Sequence, residues 1–187
     1  YIALGLALAF GATSCTKNDL NSEEQGGFSL KVLFDPATRA TPEELAQDCT
    51  INIYNTEGLI RTYEGIDAMP EKLWLVTGDY RCDILAGTPC AASFTEKTYK
   101  GSQPFTITAG TTTTVQVECR INNVMASVAF DQTILDQFST YEAKVGGTLE
   151  DDQCLTFDAS NDAIGFFTLA EDAAAQITFG RSEERRV

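Results

Sequence analysis

Six cysteines and no histidine set the chemistry open to this 187-residue chain. Without imidazole there is no Ser-His or Cys-His dyad and no usual zinc ligand. The expectation is a non-catalytic protein with no metal and no cofactor. Cys49, Cys82 and Cys119 each fall on the apolar side of an alternating stretch, Cys90 sits in "GTPC", and Cys154 comes later. Four cysteines allow three full pairings. A buried free thiol packs as a small hydrophobe. Core packing is the reading preferred here, and a bridge among Cys49, Cys82, Cys90 and Cys119 stays open. Glu43-Glu44 and Glu150-Asp151-Asp152 offer oxygen ligands but lack the regular spacing of a calcium loop, so both are expected to be solvated acidic turns. Trp74 and the tyrosines could stack on a sugar ring. The apolar neighbours of Trp74 in "LWLV" place it in the core instead, and "RTYEG" puts Arg61 and Tyr63 on an outward face.

The sixth thiol, Cys15, ends an uncharged apolar run, Tyr1 to Ala12, through Ala12-Thr13-Ser14. That run is shorter than the roughly 20 residues a membrane-spanning helix needs and fits the core of an export signal. Small residues before one cysteine resemble the lipobox of bacterial lipoproteins, where the backbone must fit a peptidase and the thiol accepts a diacylglycerol. Residues 1–14 are thus expected to be a lipoprotein signal lacking its charged start, with Cys15 the lipidated residue. Residues 15–26, polar and running into Gly26-Gly27, cannot bury a core and are expected to form a flexible tether. At the far end, "RSEERRV" bears no relation to the pattern before it and resembles the translation of a sequencing-adapter oligonucleotide. Residues 181–187 are set aside from fold reasoning on that ground.

The formal net charge is −14. Nucleic-acid binding rests on Lys and Arg neutralising phosphate, so nucleic acid is excluded as a partner. Attraction to anionic lipid is disfavoured by the same sign. A membrane, if present, is expected to hold the chain through the acyl chains on Cys15.

The elements that must position these residues alternate with period two. "FSLKVLF" places Phe28, Leu30, Val32 and Phe34 on one face, and "CTINIYN" does the same for Cys49, Ile51 and Ile53. "NTEG" is a turn into "LIRTY". "LWLVTGDYRCDILAG" holds a short apolar strand, a turn, and a second alternation through Tyr80, Cys82, Ile84 and Ala86. "PFTITAGTTTTVQVECRI" predicts a hairpin around Ala109-Gly110 whose second arm aligns Val115, Val117, Cys119 and Ile121. "TPEELAQD" predicts a short helix with Thr41 as N-cap, and "ILDQF" a second. About seven strands between 27 and 121 suffice for one β-sandwich. A boundary is expected at Asn122-Asn123, with a second, incomplete sandwich over 122–180. The missing strands are expected to leave Val124, Ala126, Val128, Phe130, Phe157 and Phe166 or Phe167 partly uncovered.

"LWLVTGDYRCDILAG", with Leu75, Gly78 and Tyr80 at their spacing, resembles the strand-turn-strand of bacterial prealbumin-like sandwiches. "ASFTEKTYKGSQPFTITAGTTTTVQVECRINNVMASVAFD", with "FSTYEAKV" and "LTFDASNDAIGFF", resembles a Bacteroidetes family of candidate lipoproteins of unknown function, close to the fimbrillin-like proteins. The resemblance implies an all-β architecture of tandem prealbumin-like, Greek-key β-sandwiches, the second truncated. It carries over no catalytic residues. In fimbrillins, a cut after an Arg near the mature start frees the first strand, and the groove accepts a strand from another subunit. "DPATRATPEE" puts Arg39 in the corresponding place, against the plainer reading of an ordinary accessible loop. Together these imply an outer-membrane, surface-facing lipoprotein used in adhesion or as a pilus accessory or anchor subunit. The alternative is a surface module binding a glycan or a host protein.

Overall fold

The computed structural model describes residues 24–34 and 42–181. Cys15, Arg39, the predicted N-cap Thr41 and residues 182–187 lie outside the described residues. The architecture is all-β. Thirteen strands are described: β1 Gln25–Phe34, β2 Thr50–Asn55, β3 Gly58–Glu64, β4 Leu73–Val76, β5 Gly78–Gly87, β6 Ala92–Ser93, β7 Thr98–Ile107, β8 Thr112–Ile121, β9 Val124–Ala126, β10 Tyr141–Gly146, β11 Cys154–Asp158, β12 Gly165–Phe167 and β13 Gln176–Arg181. Two helices of six residues, α1 Pro42–Gln47 and α2 Gln132–Gln137, accompany them.

Seven strands form one curled sheet in the order β3-β2-β5-β7-β8-β1-β4. Its inward residues are those the alternation marks. Cys49, Ile51, Ile53, Cys82, Ile84, Ala86, Val115, Val117 and Cys119 are buried in one cluster with Phe28. Each large aliphatic side chain so buried contributes roughly 1.5–3 kcal/mol. The curl brings β1 over β7 and β5: Phe28 stacks on Phe105 with centroids 4.6 Å apart, and Phe105 on Tyr80 at 5.5 Å. Leu45 of α1 packs into the same cluster.

The curl is made at the β7–β8 hairpin. These strands pair in register only at Tyr99↔Ile121 and Lys100↔Arg120. Beyond that point β7 stays with β5, and β8 with β1. Gly101 permits the crossing, because a Cβ there would lie 2.7 Å from Val117 Cγ1 and 2.8 Å from the Glu118 carbonyl oxygen. Pro104 adds a residue with no N–H to donate.

Two three-stranded sheets, β11-β10-β13 and β6-β12-β9, surround a second core of Ala143, Val145, Leu155, Phe157 and Phe167. Phe157, Phe166 and Phe167 are all buried, contrary to the expected exposure. The cover comes from an unexpected direction. β6 pairs with β12 at Phe166↔Ser93 and Phe167↔Ala92, and Phe94 meets Phe157 edge-on at 5.2 Å. Ala126, Val128 and Phe130 also pack against this core, while Val124 is exposed. What stands open is β13, whose Ile177 and Phe179 are 55% and 67% exposed. Arg181 is the last residue of that strand and pairs with Tyr141.

Candidate functional site

The thiols of Cys49, Cys82 and Cys119 lie in the first core as free cysteines, and Cys154 is likewise free and buried. Burial pushes the Cys82 and Cys119 thiols up to about 12 and raises that of Cys49. A thiolate is the nucleophile, so these groups are held in their unreactive form. Cys90 is half-buried and free, and it borders a groove of about 670 Å³ shared with Leu85, Pro89, Thr148, Gln153 and Ala170. Burial and then Glu96 raise its pKa as well.

A polar joint lies beside that groove, at the expected Asn122-Asn123 boundary. The buried Asn123 Oδ1 accepts from the Thr98 backbone N–H at 2.6 Å and the Thr98 hydroxyl at 2.9 Å. Its Nδ2 donates to Thr168 Oγ1, which donates to the Cys90 carbonyl at 2.8 Å. Strands of the first sheet, the 88–97 connection and the end of β12 are thereby tied together.

Among the described residues no group of three His, Cys, Asp or Glu converges to hold a metal ion. Asp151, in the acidic run, is exposed and accepts from Lys144, and Glu150 accepts from Gln153 at 2.9 Å. Lys144 holds the Asp151 carboxyl below its ordinary value.

Surface chemistry gathers instead on the outer face of β3-β2-β5-β7. Ile51 and Ile53 point inward, so Asn52 and Tyr54 point outward. Thr62 donates to Asn52 at 2.8 Å, and Thr50 to Glu64 at 2.9 Å. The Arg81 guanidinium lies 4.5 Å over the Tyr54 ring and binds both Asp83 oxygens, at 2.9 and 3.0 Å. Ser102 donates to Asp83 at 2.6 Å, and Thr106 to Asp79 at 2.7 Å. These pairs run across four strands. They lead into a groove of about 650 Å³ where β7 and β8 part, lined by Gln103, Thr106, Thr114, Gln116, Glu118 and Arg120. Hydroxyls and amides there, beside the Glu118–Arg120 ion pair, offer both donors and acceptors to a polar ligand.

Two sequence expectations are corrected at the surface. Trp74 is 57% exposed, because Leu73 and Leu75 take the inward positions of the four-residue β4 and leave Trp74 and Val76 outward. Tyr63 pairs with Ile51 and packs against the first core, so it offers no outward ring. Arg61 is exposed and donates to the Ile60 carbonyl at 2.9 Å. Tyr54 and Arg81 join the outer face because the alternation that buries Ile51, Ile53 and Cys82 turns them outward.

The family described as Domain of unknown function (DUF4493) matches residues 24–185. No curated protein matches the chain. Among solved structures, the chain is similar to candidate polysaccharide-binding proteins (DUF1812) from Bacteroides thetaiotaomicron, with 12% identity, a TM-score of 0.46, and 86% of this chain and 78% of that one covered. It is also similar to a candidate adhesin from Bacteroides ovatus, with 9% identity, a TM-score of 0.49, and 86% and 76% covered.

Proposed function

The chain belongs to the family Domain of unknown function (DUF4493), and from that premise we propose that it is a lipid-anchored, surface-facing, non-catalytic protein of fimbrillin-like type, serving adhesion or a pilus as accessory or anchor subunit. The observation that carries this reading is the seat of β1. This first described strand fills the interior of the curled sheet, parallel to β8 over eight residue pairs and antiparallel to β4 over four. Phe28, Leu30, Val32 and Phe34 all contribute to the core from it. Arg39 follows five positions after Phe34 in sequence. A cut there severs β1 from the rest of the chain, leaving it held by non-covalent pairing alone. The slot between β8 and β4 then suits an extended strand from another subunit, with main-chain pairing for affinity and alternate pockets for specificity. The lipobox-like Cys15 supports the anchor, and the missing histidine and protonated thiols support the absence of catalysis.

Two measurements test this. Radiolabelled palmitate should enter the wild-type chain and not Cys15→Ala; label retained in the variant sinks the anchor. Arg-specific proteolysis should cut at Arg39 and convert monomer to detergent-resistant multimers, and Arg39→Ala should stay monomeric. A cut chain that remains monomeric overturns strand exchange. The second reading, a glycan- or host-protein-binding module, is favoured by the polar outer face and its groove. Glycan-array binding abolished by Arg81→Ala, without polymer formation, would select it.

A further inference from the structure

The outward pair on β4 stands where the chain enters the fold. Trp74 lies opposite Gly27, and Val76 opposite Gln25. The Thr77 N–H donates to the Glu24 carbonyl at 2.8 Å, which fixes the incoming chain beside the same strand. Trp74 and Val76 are 57% and 44% exposed at the edge of the seven-stranded sheet. Lys72 Nζ sits 4.5 Å from the Trp74 ring centroid. The arrangement depends on Gly27, since a Cβ there would collide with Lys72 Cε.

We propose that Trp74, Val76 and Lys72 form a bilayer-contacting patch that seats the first sheet on the lipid surface. The proposal rests on the reading of Cys15 as the acylated residue. Glu24 follows Cys15 by nine positions, a reach of at most about 30 Å when fully extended. An acylated chain therefore holds this patch within that distance of the membrane. Tryptophan concentrates at the membrane–water interface, and lysine lays its stem along apolar surface while its ammonium reaches headgroups. With a net charge of −14, electrostatic attraction to anionic lipid is disfavoured. The contact therefore suits a zwitterionic surface met by apolar side chains. A sugar stacking on the ring would first have to displace the Lys72 ammonium.

Trp74 is the single tryptophan of the chain, so its emission reports this patch alone. The full chain is mixed with phosphatidylcholine vesicles, with and without brominated acyl chains, and its palmitate content is measured in parallel. The expected result is a blue-shifted emission, quenched about twofold by bromine, with the quenching largely lost in Val76→Asp. Equal emission in both vesicle types overturns the patch. If the chain has also taken up palmitate, the patch alone falls and the anchor stands. Quenching without palmitate supports the patch and sinks the anchor. An emission shift with a soluble oligosaccharide but none with vesicles assigns the patch to glycan and overturns the proposal.

Discussion

Ten-residue strands β1, β5, β7 and β8 enclose the first core, whereas the second is closed by three-residue β9 and β12 and two-residue β6. In the first, one strand supplies several inward side chains at period two, and each supports the register of the next. In the second, the inward side chains come in twos and threes from residues 92–94, 126–130, 143–145, 155–157 and 167–169. Long strands make a core that specifies itself locally. Short ones make a core whose membership depends on where distant segments arrive.

The largest expected effect breaks the second core where its pieces converge. Phe157 is fully buried and meets Phe94. Phe157→Ala should cost about 3–5 kcal/mol, read as a lower urea midpoint. Hydrogen exchange should show amides of β10 and β12 losing protection while those of β2 and β5 keep theirs. Equal loss in both sheets would mean that the two cores unfold as one and that strand length makes no difference to their independence.

A smaller effect tests the joint between them. Asn123→Ala leaves the Thr98 N–H and hydroxyl without their acceptor and removes the donor to Thr168 Oγ1. An unmade buried hydrogen bond costs about 1–3 kcal/mol. Unlike Phe157→Ala, this substitution should separate the unfolding of the two cores further, because it loosens the tie rather than either core. An unchanged separation would show that the tie does not couple them.

A third effect belongs to the first core and appears only in alkali. The Cys82 and Cys119 thiols move from an ordinary value of 9.0 to about 12 in the fold. The folded chain therefore keeps protons that the unfolded chain releases. Their stabilising contribution is full below pH 9 and is lost as pH rises from about 9 through about 12. A Cys82→Ala/Cys119→Ala variant should flatten the fall in urea midpoint across that window. An unchanged slope would place the alkaline loss elsewhere.

The same contrast explains what could be read without coordinates. Alternation identified the inward faces of β1, β2, β5 and β8, because burial on one side of a long strand leaves a period of two in the sequence. Capping and first-turn signals placed the short helix α1, and the Ala109-Gly110 pair between two Thr- and Val-rich runs placed the turn. Alternation says less where pairing register or an edge position decides the facing. Ile51 inward implies that its cross-strand partner Tyr63 is inward too, but that partnership depends on register, with a bulge between Ile53 and Tyr54. "LWLV" has no polar residue to mark its outward positions, so only the edge placement of β4 reveals Trp74 as exposed. Phe94 gave no local sign that it belongs with Phe157, since the two are joined only by the path of the 88–97 connection. The polar ladder from Glu64 to Ser102 was equally invisible: its members lie on different strands, and each alone reads as an ordinary solvated residue.

The parallel pairing of β1 with β8 has a consequence for the order in which the chain can assemble. Gly27 meets Thr112 and Phe34 meets Cys119, an offset of 85 positions in each case (112 − 27 and 119 − 34). Contacts so distant in sequence close late, because the loop entropy is lost before any pairing compensates it. A polypeptide emerging N-terminus first presents "FSLKVLF" before any of its partners exists. Until residues 112–119 follow, this apolar strand has no edge of β8 to join and is exposed to aggregation or to capture by another chain. Synthesis thus leaves β1 waiting for most of the first sheet to be made, and the first described strand is among the last to be locked in place.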